Sequence, residues 1–134
     1  MARTSNWPSL LHAFIDEKRK VPFEWSKNDC ATFAADWVAI LTGVDHAANL
    51  RGTYSSALGA ARILDAAGGL EGIVARTGFK EVGPTYAQRG DLVVFDDENG
   101  PTLGVCIGKH SAFAHADGVA FRLTLECRRA WRTE

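Results

Sequence analysis

Residues 26–41, SKNDCATFAADWVAIL, combine a helix-start signal with one continuous apolar face. The apolar side chains recur every three or four positions, which predicts a helix that packs one face onto a core. The members of this face are Cys30, Phe33, Ala34, Trp37, Val38 and Leu41. We expect Ser26 or Asn28 to cap the helix, Asp29 to lie in its first turn, and Gly43 to end it.

Cys30, in the first turn of this helix, has two interpretations. The positive end of a helix lowers a thiol pKa, which is typical of a catalytic nucleophile. Alternatively, Cys30 is only a small buried member of the apolar face. A nucleophilic cysteine needs a base, usually a histidine. His115 ends a β-like segment and could point to the sheet face that meets the helix, but its spacing leaves this open.

The pattern changes from helical to extended along the chain. Helices are predicted at residues 8–18, 30–41, 55–67 and 70–76. Short β-prone segments separated by turn residues follow from residue 79 to residue 125, which predicts an antiparallel meander. We predict a single α+β domain over residues 1–134, in which the Cys30 helix packs on the sheet and Trp131 anchors the C-terminal tail.

Composition limits the classes of function. The 134 residues are 46% hydrophobic and 23% charged, with a formal net charge of −1, so neither nucleic acid binding nor membrane insertion is expected. The three cysteines form no CxxC pair, so we expect no metal site, and no cofactor. The N-terminal residues lack the apolar core of a signal peptide, so we expect synthesis and folding in a cytoplasm.

Four segments, NDCATF, RGDLVVF, TLGVCIG and FAHA, resemble in this order the motifs of the NlpC/P60 cysteine peptidase family. The resemblance covers residues 22–116. It implies a papain-like fold, with N-terminal helices packed on an antiparallel sheet from the C-terminal half. Within this family, the chain resembles short versions encoded in phage and prophage tail gene clusters, many of which share the pattern DCATF…GDLVVF…RAWR and have no assigned activity.

The resemblance also assigns roles to individual residues. The family nucleophile falls on Cys30, and the third polar residue of the triad falls on His115. The family base falls on Thr102. A tyrosine that often precedes the cysteine motif in the family, with its hydroxyl close to the reacting centre, falls on Phe23. A threonine hydroxyl has no basicity near neutral pH, whereas an imidazole titrates there. The resemblance therefore implies a degenerate catalytic site.

These residues lead to three functional hypotheses. The first is a tail-tip or tail-assembly protein with little or no hydrolase activity, whose partners are other phage tail proteins. It would reside in the host cytoplasm during assembly and then in the virion tail. The second is an active endopeptidase that cleaves peptidoglycan stem peptides with Cys30 and His115. The third is a binder of peptidoglycan fragments without catalysis.

Overall fold

The computed structural model describes residues 3–133, in which helices precede strands as the sequence pattern predicts. The helices are α1 (Trp7–Lys18), α2 (Cys30–Thr42), α3 (Ala57–Ala67) and α4 (Gly69–Ala75). The strands are β1 (Lys80–Val82), β2 (Leu92–Asp97), β3 (Gly100–Cys106), β4 (His110–His115), β5 (Gly118–Leu123) and β6 (Arg129–Arg132). Short 3-10 turns occupy Pro84–Tyr86 and Thr124–Glu126. The predicted α+β class is confirmed.

The strands form one antiparallel sheet in the order β1-β6-β2-β3-β4-β5. Strands β2 to β5 form a meander as predicted, but β1, predicted as its first strand, pairs with β6, which lies between β1 and β2. The prediction of a sheet confined to residues 79–125 is therefore wrong in extent. Ala130 and Trp131 are both buried, on opposite faces of the sheet. A central strand buried on both faces shows no polar–apolar alternation, so its sequence gives no strand signal.

Helix α2 forms the centre of the core. It packs on β3, β4 and α1. Phe33, Trp37 and Leu41 are fully buried, and the ring of Phe14 from α1 lies 5.1 Å from that of Phe33. The Trp37 indole N–H donates to the Gly90 carbonyl oxygen at 2.9 Å. This bond fixes α2 against the turn that precedes β2.

That turn contains a fully buried carboxylate, Asp91. Asp91 accepts hydrogen bonds from Arg3 Nη2 at 3.0 Å, Gln88 N at 2.9 Å, Arg132 Nε at 3.1 Å and Thr133 N at 3.2 Å. Two guanidinium groups and two backbone amides satisfy the buried charge. The interactions of Asp91 therefore hold both ends of the described chain to one turn.

The turn before α2 differs from the sequence expectation. Asp29, not Ser26 or Asn28, is the N-cap of α2, and it forms a reciprocal capping box with Thr32. Ser26 adopts a left-handed conformation at φ 61° and donates its backbone N–H to Asp29 Oδ2 at 2.9 Å. The Asn28 side-chain amide instead donates to the carbonyl of Pro22. The start of α2, and hence Cys30, is thus set by Asp29.

Gly43 ends α2 in the left-handed conformation, as predicted. No helix within residues 3–133 is both long enough and apolar enough to cross a bilayer.

We predict that Trp37→Ala lowers the free energy of unfolding by about 3–5 kcal/mol, because it removes a buried aromatic ring and its hydrogen bond to Gly90. Ile40, on the same helix but 39% exposed, is the matched control. Ile40→Ala is expected to cost about 1 kcal/mol. Urea denaturation followed by far-UV circular dichroism measures both. Equal losses in the two variants would show that α2 does not pack through the Trp37 face.

Candidate functional site

Cys30 is the first residue of α2 and is half-buried. It lines a cavity of about 40 Å³ beneath the loop before α3. The cavity is mostly apolar, and its other lining residues include Trp25, Leu50, Tyr54 and Leu64. Cys30 is therefore set in an apolar recess, not in an open polar cleft.

The thiol of Cys30 has a raised pKa. Burial is the largest cause, and the negative charge of the adjacent Asp29 acts in the same direction. Hydrogen bonds from the Leu103 backbone and the Thr102 side chain lower the pKa but do not offset these effects. The first-turn backbone of Ala31 also lowers the pKa, as the helix start predicts, but burial and Asp29 outweigh it and the net shift is upward. Since a raised pKa favours the protonated form, Cys30 is a neutral thiol at neutral pH.

Asp29 is 2% exposed, and its carboxylate joins the helix cap to the recess. It accepts hydrogen bonds from Thr32 N at 2.9 Å and Ser26 N at 2.9 Å, and also from the Tyr54 hydroxyl. Burial, followed by the bond to Asp29, raises the Tyr54 pKa, and charge on Cys30 would raise it further. Tyr54 therefore places a protonated hydroxyl beside Asp29 and close to Cys30.

Sequence reasoning missed this role of Tyr54. The residue lies 25 positions from Asp29, in a loop with no periodic pattern, so neither spacing nor motif indicates the contact. Arg51, in the same loop, makes ion pairs with Asp36 at 2.7 Å and Asp45 at 2.9 Å. These pairs hold the loop near α2.

Thr102 lies at the position predicted for the family base, next to Cys30. It is paired with Phe95 of β2, and its hydroxyl lies near enough to the Cys30 thiol to lower the thiol pKa. The residue at the family base position is therefore close to Cys30, but it carries a hydroxyl and not an imidazole.

His115 lies on the other side of the sheet from α2. The residue before it, Ala114, packs toward the main core, and side chains alternate along β4. His115 is exposed and lines a cavity of about 20 Å³ together with Thr102, Phe95 and Phe113. The expectation that His115 could point to the helix-facing side of the sheet is wrong. Cys30 does not line this cavity, and His115 is not among the groups that shift the Cys30 pKa.

Phe23, at the family tyrosine position, packs its ring edge-on against Trp25 with centroids 4.7 Å apart. Its backbone N–H donates to the His115 carbonyl at 3.2 Å. Phe23 therefore has a packing contact, and the phenolic hydroxyl near Cys30 comes from Tyr54.

The recess thus contains a neutral thiol, the Tyr54 hydroxyl and a capped carboxylate, and the Thr102 hydroxyl lies near the thiol. Within residues 3–133, no imidazole hydrogen-bonds Cys30. Hydroxyls and a neutral thiol can donate and accept hydrogen bonds, but neither takes up a proton near neutral pH. The arrangement suits binding better than nucleophilic attack.

Comparison with solved structures supports the fold prediction. The chain is similar to the NlpC/p60 domain of peptidoglycan hydrolase SagA, with a TM-score of 0.58 and 13% sequence identity. The match covers 93% of this chain and 97% of that one. At this identity the likeness establishes the fold, and the predicted NlpC/P60-like fold is confirmed.

Comparison of sequences gives a family without a described activity. No curated protein matches the chain. A family model described as "Domain of unknown function (DUF6950)" matches residues 2–133. Because that match spans nearly the whole chain, the protein belongs to the DUF6950 family.

Proposed function

We propose that this chain is a phage tail-associated protein that keeps an NlpC/P60-like fold as a binding scaffold and has little or no hydrolase activity. The observation that carries this proposal is the apolar recess around Cys30, whose thiol pKa is raised and near which Thr102 occupies the position of the family base.

The chemistry of acyl transfer supports the loss of activity. A cysteine nucleophile attacks as the thiolate, and an adjacent base or cation normally maintains that form. Here burial and Asp29 both favour the thiol. General acid–base catalysis contributes about 10²–10⁴-fold to a rate, so a threonine at the base position forfeits a factor of that order.

The proposed tail role rests on the resemblance to tail-cluster sequences and on an exposed apolar patch. The two 3-10 turns contact each other, and Tyr86 and Leu125 on them are 72% and 73% exposed. Leu123, just before the second turn, is 38% exposed. Large exposed apolar side chains grouped in this way are typical of protein–protein contacts. We assign this patch, Tyr86, Leu123 and Leu125, to binding another tail protein.

The second candidate is an active endopeptidase that uses His115. It is favoured by the cavity that His115 shares with Thr102, because Thr102 in turn contacts Cys30. Catalysis by this route requires the His115 side chain to leave its present position and reach the thiol.

Wild-type protein is expected to leave peptidoglycan stem peptides uncleaved. Thr102→His should introduce measurable cleavage, because it places an imidazole beside Cys30. Thr102→Val is the matched control, which changes the same side chain without supplying a base. Peptide products are quantified by liquid chromatography and mass spectrometry, and Cys30→Ala in the Thr102→His background should abolish them. Cleavage by wild type that Cys30→Ala removes would refute the proposal and favour His115 as base.

The tail role predicts that the protein is present in purified virions and that Cys30→Ala phage assemble complete tails. Tyr86→Ser combined with Leu125→Ser should reduce incorporation, because it removes the apolar patch. Leu58→Ser is the control, since Leu58 is 62% exposed on α3, outside the patch. Quantitative mass spectrometry of virions measures incorporation. Absence of wild-type protein from virions, together with normal tails after gene deletion, would contradict the role.

A further inference from the structure

We infer that a second pocket, formed by α1 and the turn at residues 88–90, binds a phosphate-type dianion attached to a small organic group. The pocket has a volume of about 240 Å³. Its polar lining consists of His12, Arg19 and Arg89, and its apolar lining includes Leu11, Ile15 and Ile107. No carboxylate is among the lining residues.

The two arginines are positioned by aromatic rings, not by acidic partners. The guanidinium carbon of Arg89 lies 5.5 Å from the Trp7 ring centre, and that of Arg19 lies 5.3 Å from the ring centre of Phe121. Within residues 3–133 neither group forms an ion pair with a carboxylate. Stacking on a ring orients a guanidinium while its N–H donors stay free for an oxyanion.

The backbone of Arg89 is also fixed before any ligand arrives. Its carbonyl accepts a hydrogen bond from Arg3 Nη1 at 3.1 Å, and Gly90, the next residue, accepts the Trp37 indole bond. Gln88 N donates to the buried Asp91 at 2.9 Å, which closes the turn. A ligand therefore meets a preorganised backbone, which lowers the entropic cost of binding.

The third polar group is on α1. His12 and Ile15 lie on α1, and Arg19 is its C-cap. Their spacing of i, i+3 and i+7 places all three on one side of the helix. Two guanidiniums favour a dianion over a single carboxylate, and His12 adds a further hydrogen-bonding side chain. Leu11, Ile15 and Ile107 offer apolar surface to the organic part of the ligand. The volume lies just below the usual range for ligand pockets, about 300–1,000 Å³, so that part is small.

This pocket shares no lining residue with the Cys30 recess. The inference is therefore independent of the proposed function: a catalytic Cys30 or an absence from virions would leave it unchanged.

Phenyl phosphate is the probe, titrated into ¹⁵N-labelled protein at low ionic strength and followed by amide chemical shifts. Low salt is required because the arginines are exposed and their interactions are screened. We expect saturable shifts centred on Leu11, Ile15 and Ile107. Benzoate, which has the same ring and one negative charge, should bind more weakly.

Arg89→Gln and Arg19→Gln should each raise the dissociation constant for phenyl phosphate about tenfold or more. Arg62→Gln is the matched control, because it removes the same charge from an exposed position on α3. It should leave the affinity nearly unchanged. If a Gln variant fails to fold, Arg89→Lys keeps the charge but loses the planar fork, and should also weaken binding.

Three results would overturn the inference. They are the absence of saturable shifts with phenyl phosphate, shifts centred outside this pocket in wild type, and an equal loss of affinity in Arg62→Gln. Equal affinity for benzoate would overturn the assignment of a dianion.

Discussion

The hydrogen bond from the Trp37 indole to the Gly90 carbonyl joins the central helix to the turn that Arg3 and Thr133 also bind. A single neutral bond of this kind contributes only about 1 kcal/mol, but it is made by a side chain whose burial contributes several times more. Gly90 lies beside Asp91, whose bonds to Arg3 and Arg132 close the structure. The helix, the sheet and both ends of the described residues 3–133 are thus held at one turn.

Within this frame, burial together with the charge of Asp29 raises the pKa of the Cys30 thiol. The Asp29 carboxylate caps α2, which typically contributes about 1 kcal/mol, and holds Ser26 in its left-handed conformation. The same charge lies next to Cys30 and opposes ionisation of the thiol. A well-capped helix start and a reactive thiolate therefore conflict here unless a cation stands beside the sulfur, and Thr102 provides none.

The sequence predicted what depends on local periodicity. The span of α2, its end at Gly43 and the position of Cys30 in its first turn follow from a 3.6-residue pattern and a glycine. Contacts between segments that are distant in the sequence leave no periodic pattern and could not be predicted in this way. Tyr54 reaches Asp29 across a loop, and β6 inserts between two strands because its buried residues satisfy both sheet faces.

Two errors came from choices between neighbouring positions. Ser26, Asn28 and Asp29 are all good caps by type, and only the backbone of the preceding turn selects Asp29. His115 lies one residue from Ala114, and a shift of one residue along a strand reverses the face to which a side chain points.

The central claim, that Cys30 is a neutral thiol with no base beside it, is tested most directly by its own titration. The ¹³Cβ chemical shift of Cys30, recorded between pH 5 and 10 on selectively labelled protein, reports ionisation of the thiol. We predict that Cys30 stays mostly protonated at pH 9, because burial and Asp29 raise its pKa above the ordinary value of 9.0. A midpoint near neutral pH or below would show a stabilised thiolate and contradict the account.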